Sequence, residues 1–335
     1  MPILNAMEGA VSQGVLWGLM ALGVYLTFRI LNVADMTVDG SFAAGGAVTA
    51  VFLTRFGVNP LFVLLISFVM GTICGLITGL MNTKLKINIL LASILTQIAL
   101  YSVNIRIMGR ANTPLLGSTT LITLVKSITH GHITKPSHIS LIVGVVVIAA
   151  IIALMYWFFG TEIGSSIRAT GSNEHMVRAM GVNTDTTKSL GFMISNGMVA
   201  VSGSLVAQSQ GYADIGMGTG TIVVGLASII IGEVIFGAHY GFWWVLLSSV
   251  FGSIIYRIVI AVVLQLGLKS TDLKLLTALI VAASLSVPEL KHYIERRRHA
   301  LPGMRLDREE NTRHRPVKTH TDGDNTFANS KNGVE

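Results

Sequence analysis

The segment "ILNVADMTVDGSFAAGGAVTA", residues 30–50, decides how the rest of the chain is read. It sits between two apolar runs, yet it places Asp35 and Asp39 one helical turn apart, close to Gly40, Gly45 and Gly46. Irregular backbone at membrane depth is tolerated only when it is buried in protein or lines a water-filled cavity. Ionisable residues there are functional candidates by default. Residues 32–41 are therefore read as an unwound link between a long helix and a short one, facing a pathway. An interfacial loop with an Asx cap at Asp39 is the plainer reading of the same residues. The candidate pathway residues here are Asn32, Asp35, Thr37, Asp39 and Ser41.

The flanks explain why membrane depth is the right frame. Of 335 residues, 51% are hydrophobic and only 12% are charged, where a soluble domain carries about 25%. Of the 41 Asp, Glu, Lys and Arg residues, 17 fall at or after Lys291. Residues 1–290 thus form a transmembrane domain, and 291–335 a basic, polar tail expected to be disordered and cytoplasmic. Runs long enough to cross a bilayer are Val11–Ile30, Ser41–Leu53 (short), Leu61–Met81, Ile87–Asn104 and Ile139–Phe159. Ser189–Gln208, Thr221–Phe236 (short), Phe242–Leu264 and Leu273–Val287 complete the set. The expectation is an all-α polytopic membrane protein with about nine transmembrane helices, within a range of eight to ten. The first run has no basic flank ahead of it and reads as a retained helix. Lys291 and Arg296–Arg298 place the tail inside, residues 106–135 outside and 161–188 inside.

Several function classes have no support. There is no P-loop, no HExxH, no GxSxG and no Cys/His metal set; Cys74 is the single cysteine. The Gly216-x-Gly218-x-Gly220 stretch follows no strand, so it reads as a loop or re-entrant turn. No basic face is interleaved with aromatics, which argues against nucleic acid as a partner. No metal or cofactor is expected.

Three further patterns single out residues. Ser93, Gln97, Tyr101 and Asn104 recur at four, four and three residues, so they share one helix face, expected to point away from lipid. Gly71, Gly75 and Gly79 make a doubled GxxxG, which lets another helix approach closely, within the chain or across a dimer seam. Glu233 and Arg257 are read as reaching an interface or taking part in transport. In the loop 164–191, Asn173 can cap a short helix Glu174–Met180 that Gly181 closes. That helix looks built to dock into a partner.

These motifs carry a resemblance. "IRATGSNEHMVRAMGVN" (167–183) resembles the cytoplasmic coupling loop of ABC-importer permeases of the branched-chain amino acid and ribose group, with Arg168, Ala169, Gly171, Asn173, Ala179 and Gly181 matching. "LNVADMTVDGSFAAGGA" (31–47) resembles that group's early broken-helix motif, and "VVGLASIIIGEVIFG" (223–237) its late motif. The nearest likeness is to permeases associated with tryptophan or tyrosine uptake. The resemblance implies a bacterial inner-membrane importer subunit that moves a small solute, an amino acid and best an aromatic one. It implies a second permease copy, two cytoplasmic ATPase subunits that bind the ATP, and an extracytoplasmic binding lipoprotein. The coupling loop would run through Arg168, Gly171, Asn173, Glu174, Met180 and Gly181. Asp39 departs from the sugar-type members, which carry a small residue there. The alternatives are a secondary transporter, or an ABC permease for a sugar or nucleoside.

Overall fold

A computed structural model describes residues 2–128, 135–237, 241–267, 272, 275–283 and 286. The chain runs through α1 (Pro2–Tyr25, prolonged by a π-helical turn Leu26–Ile30), α2 (Thr37–Thr54), α3 (Pro60–Thr83) and α4 (Ile89–Met108). A short strand β1 (Asn112–Pro114) leads to α5 (Leu121–Ile128) and α6 (Pro136–Phe159). Then come α7 (Glu162–Ser172), α8 (Glu174–Ala179), α9 (Thr184–Gln210) and β2 (Tyr212–Asp214). A 3₁₀ turn at Ile215–Gly218 opens into α10 (Thr221–Phe236), followed by α11 (Phe242–Gln265).

Eight of these helices are long and apolar enough to span a bilayer. They coincide with the first eight expected spans. Of the ninth, 273–287, residues 275–283 and 286 are helical, and the remainder lies outside the described residues. So do the expected domain boundary at 290/291 and the whole tail.

The second span is longer than its apolar run suggests. It begins at Thr37, not Ser41, and its first N–H is satisfied from just outside the helix: Thr37 N–H donates to Asp35 Oδ1 at 2.9 Å. The helix break is accordingly confined to 31–36. Asn59 and Asn88 cap α3 and α4 in the same way, each accepting from the backbone N–H two residues on.

α2 and α9 form the centre. Their most apolar windows are 89% and 83% buried, against 28% in α4 and α6 on the outside. Small residues allow this. A Cβ on Gly71 or Gly75 would run into the carbonyls of Asn196 or Phe192 on α9, and one on Gly79 would press on Ser189. The doubled GxxxG is thus spent on packing within the chain. Hydroxyls supply the rest of the adhesion, as expected where apolar burial offers little drive between helices. Ser195 Oγ donates to the Gly23 carbonyl, Ser202 Oγ to Leu16 and Ser253 Oγ to Gly14.

β1 and β2 pair antiparallel, Thr113 opposite Ala213, and tie the segments after α4 and α9 together. Strands of three residues have no periodicity to read, and neither they nor α5 were expected from the sequence.

Candidate functional site

The break after α1 delivers two carboxylates into the middle of the bundle. Asn196 stands halfway along α9, and its Nδ2 donates to Asp35 Oδ2 at 2.8 Å. Ser41 Oγ donates to Asn196 Oδ1 at 2.7 Å, and Thr37 Oγ1 shares a 2.7 Å hydrogen bond with Thr78 Oγ1. Asp35, Thr37, Ser41 and Asn196 are all fully buried. Burying a carboxylate without partners is expensive, and Asp35 meets that cost with two donors. It is a buried cap and a tie between α2 and α9. Asp35 thus takes the N–H of the first residue of α2.

Asp39 is also a cap, but of a different helix. Its Oδ1 accepts from Thr221 Oγ1 at 2.7 Å and from the Ile222 N–H at 3.0 Å. Its Oδ2 accepts from the Gly220 N–H at 2.9 Å and from Gln97 Nε2 at 3.4 Å. These backbone donors belong to the first turn of α10. Gly220 (φ +81°) lets the chain turn into that helix, and Gly218 packs directly on the Asp39 carbonyl. A carboxylate at a helix N-terminus is stabilised by the unpaired N–H groups and the macrodipole together. The Gly216–Gly220 stretch is thus a re-entrant turn whose end is stoppered by Asp39.

Beside this junction lies a cavity of about 360 Å³, lined by Asp39, Gly40, Gln97, Tyr101, Asn104 and Thr219 among others. Asn104 Nδ2 donates to the Gly40 carbonyl at 3.2 Å, and Asn104 Oδ1 is buried with no partner among the described residues. Gln97, Tyr101 and Asn104 thus come together with Asp39, as their spacing suggests. Ser93 is buried, as its face suggests, and donates to Leu90 O on its own helix; it is not among the cavity residues. Two expectations need correction. Tyr101 is not buried: it lines the cavity but is 59% exposed. Asn32, in the left-handed region at φ +56°, borders a separate depression with Arg29, Arg168 and Gly171.

That second depression marks the opposite end of α10. Arg29 grips Glu233 with two hydrogen bonds of 2.8 and 2.7 Å, so Glu233 is paired. Arg168 Nη2 donates to the Phe159 carbonyl at 3.1 Å, and its guanidinium lies 5.2 Å from the Phe242 ring centroid. Gly171 is helical and gives α7 close contact with the Ile30 carbonyl. In α8, Asn173 Oδ1 accepts from the Met176 N–H at 3.0 Å, and Gly181 (φ +88°) closes the turn. The helix ends at Ala179, one residue short of expectation, and Met180 is its C-cap. Val177 is buried while Met176 and Met180 are exposed, so α8 shows a sulfur-rich apolar face to the outside. Glu174 is held below its ordinary carboxylate pKa, chiefly by its hydrogen bond from Lys188 Nζ at 2.5 Å.

Two participants escaped the sequence reading. Asn196 left one signal, a lone amide amid an apolar helix. Gly220–Ile222 left none, because backbone N–H groups have no side-chain signature. Arg257 neither snorkels nor finds a carboxylate among the described residues: its guanidinium lies 3.9 Å from the Trp17 ring centroid and its Nε is unpartnered there.

Comparison with known proteins agrees with this architecture. The family model described as "Branched-chain amino acid transport system / permease component" matches residues 6–284. A tyrosine transport system permease protein of Clostridioides difficile is 40% identical over 86% of this chain and 92% of its own length. An inner membrane ABC transporter permease of Escherichia coli, YjfF, is 26% identical over 70% of this chain and 68% of its own. The fructose import permease FruG of Bifidobacterium longum is 25% identical over 72% and 70%.

Proposed function

The chain belongs to the permease-component family of branched-chain amino acid transport systems, and we propose that its solute is an amino acid, an aromatic one first among them. It is a multi-pass permease of a bacterial ABC importer. The observation that carries the substrate reading is the cavity beside α10. Asn104 Oδ1 is a buried acceptor without a partner, and Tyr101 supplies an aromatic wall within the same space. An ammonium has three donors to give and is attracted to an aromatic face. Asp39 adds a negative charge beside the same space, while its oxygens are held by donors from α10 and Gln97. A cavity of about 360 Å³ suits a ligand of this size. The 40% identity to a tyrosine permease supports the aromatic choice, and the fructose permease keeps sugars as the competing class.

The remaining assembly follows the same reading. The exposed α8 face is where an ATPase subunit docks, since this chain has no P-loop to use ATP itself. On this reading α7–α8 faces the cytoplasm and a binding protein meets the β1–β2 side; the positive-inside rule supports a cytoplasmic tail. The test is uptake of labelled tyrosine by cells carrying the full transporter. Unlabelled tryptophan and phenylalanine should compete, and fructose should not. Competition by the sugar alone would move the substrate to that class.

A further inference from the structure

Two hollows at the α7 end of the bundle take no part in the cavity beside α10. One is the depression of about 490 Å³ bordered by Arg29, Asn32, Arg168 and Ser172. The other is an open groove of about 500 Å³ between the second half of α6 and the first turns of α11, lined by Ala149, Ile152, Ala153, Tyr156, Trp243 and Leu247. They meet at the start of α11, where Phe242 lines the first and Trp243 the second.

Arg168 sets the charge of the depression. Arg29 is neutralised by Glu233, which it holds through two hydrogen bonds. Arg168 has no carboxylate partner among the described residues: it donates to the Phe159 carbonyl and lies against the Phe242 ring. Those contacts fix a guanidinium that has five N–H groups to give, so most of its donors stay open. Asn32 and Ser172, both exposed, add neutral donors at the rim. The depth is marked by aromatics. Trp157, Trp243 and Trp244, three of the four tryptophans, lie with Tyr156 in the last turn of α6 and the first turn of α11. Such side chains gather where hydrocarbon gives way to headgroups. The basic depression is therefore at headgroup level, and the apolar groove runs from it into the hydrocarbon.

We propose that the two hollows form one site for an anionic phospholipid, its phosphate on Arg168 and an acyl chain along Ile152, Ala153 and Trp243. Basic pockets between helices at the membrane surface recognise such headgroups, and the guanidinium fork matches a phosphate. A free phosphate would leave the adjoining groove unused. The leaflet is the cytoplasmic one on the orientation proposed above, a point on which the binding test does not depend.

The test counts lipids on the full-length chain, purified in neutral detergent and titrated with phosphatidylglycerol, phosphatidylcholine or inorganic phosphate under native mass spectrometry. One phosphatidylglycerol should bind ahead of the rest, and phosphatidylcholine more weakly. Arg168→Gln should weaken that first equivalent about fivefold, and Arg168→Lys should keep part of it. Ala153→Trp, at an exposed position, fills the groove and should weaken it too, which decides the matter if Arg168→Gln does not fold. Inorganic phosphate should not displace the lipid. The proposal is overturned if phosphatidylcholine binds as tightly as phosphatidylglycerol, or if lipid retention is the same in both variants as in the parent. Phosphate that displaces the lipid and binds Ala153→Trp normally would overturn it as well, leaving a site for a free anion.

Discussion

The junction at 31–41 and the α7–α8 loop are built from similar residues and solve opposite problems. Both carry acidic side chains, glycines and a helix cap. In the loop each cap serves its own helix: Asn173 holds the start of α8, and Asn183 accepts from Asp185 and Thr186 at the start of α9. The loop's charged groups remain partly solvated, as with Glu174 and its partners Lys188 and Arg178. At the junction both carboxylates are buried, and each bonds to a remote helix: Asp35 to Asn196 and Asp39 to the start of α10. Asp39 on α2 closes α10, which is 181 to 183 residues away in sequence. One region can be assembled locally; the other exists only once α2, α4, α9 and α10 are together.

That contrast predicts the largest effect at Asp39. In Asp39→Asn, the amide NH₂ must face either Gly220 N–H and Gln97 or Thr221 and Ile222. Backbone donors cannot turn away, so one set loses its acceptor at about 1–3 kcal/mol per buried group. Asp35→Asn should be milder, because its partner Asn196 is a side-chain amide that can flip and Ser41 can then donate or accept. The flip sacrifices the Asn196 bond to Phe192 O. Uptake and the amount of folded protein in the membrane, measured for both variants, rank the two. Equal losses would mean that the backbone origin of the donors is not what matters.

The same contrast governs what could be read from sequence. The α8 helix, its Asn173 cap and its Gly181 closure are legible because every signal lies within ten residues. The eight spans are legible because length and hydropathy are local as well. At the junction, the sequence offers Asp39 as a possible cap but cannot name the helix it caps, since its donors lie on the remote backbone of α10. It places Gln97 and Asn104 correctly on one face with Tyr101. It misjudges Tyr101's exposure, because spacing assigns a residue to a helix face but does not say how deeply that face is buried. Asn32, grouped with Asp35 by proximity, lies on the other side of the break, since an unwound link separates neighbours that a helix would keep together.

In the loop, the sharpest perturbation is Gly181→Val. No atom lies within 4 Å of the Cβ it would add, so there is no clash. The cost comes from a β-branched residue at φ +88°, about 1–3 kcal/mol for such a backbone outlier. The strain is confined to the end of α8, so membrane insertion should be kept while the solute moved per ATP hydrolysed falls. Gly181→Asn, which tolerates the left-handed region better, should recover much of that ratio. Failure of Asn to differ from Val would show that the turn conformation is not what the loop requires.

The smallest effect is expected from the exposed charges of the loop. Glu174 bonds to Lys188 and Arg178, and its carboxyl pKa lies below the ordinary 4.5, led by the Lys188 hydrogen bond. A carboxylate whose folded pKa is depressed stabilises the fold above its unfolded pKa and loses that contribution as pH falls through the folded value. The stabilisation is therefore complete at neutral pH and disappears only below about pH 4.5. With Glu174's side chain 33% exposed, water and salt screen the pair, and its worth is about 1 kcal/mol or less. Glu174→Gln should leave transport nearly unchanged between pH 6 and 8 and lower the melting temperature only slightly at neutral pH. The difference from the parent should shrink as the pH is brought below 4.5. A large loss of transport at neutral pH would instead mean that Glu174 meets a partner protein directly, and the loop would then share with the junction a dependence on groups far from its own sequence.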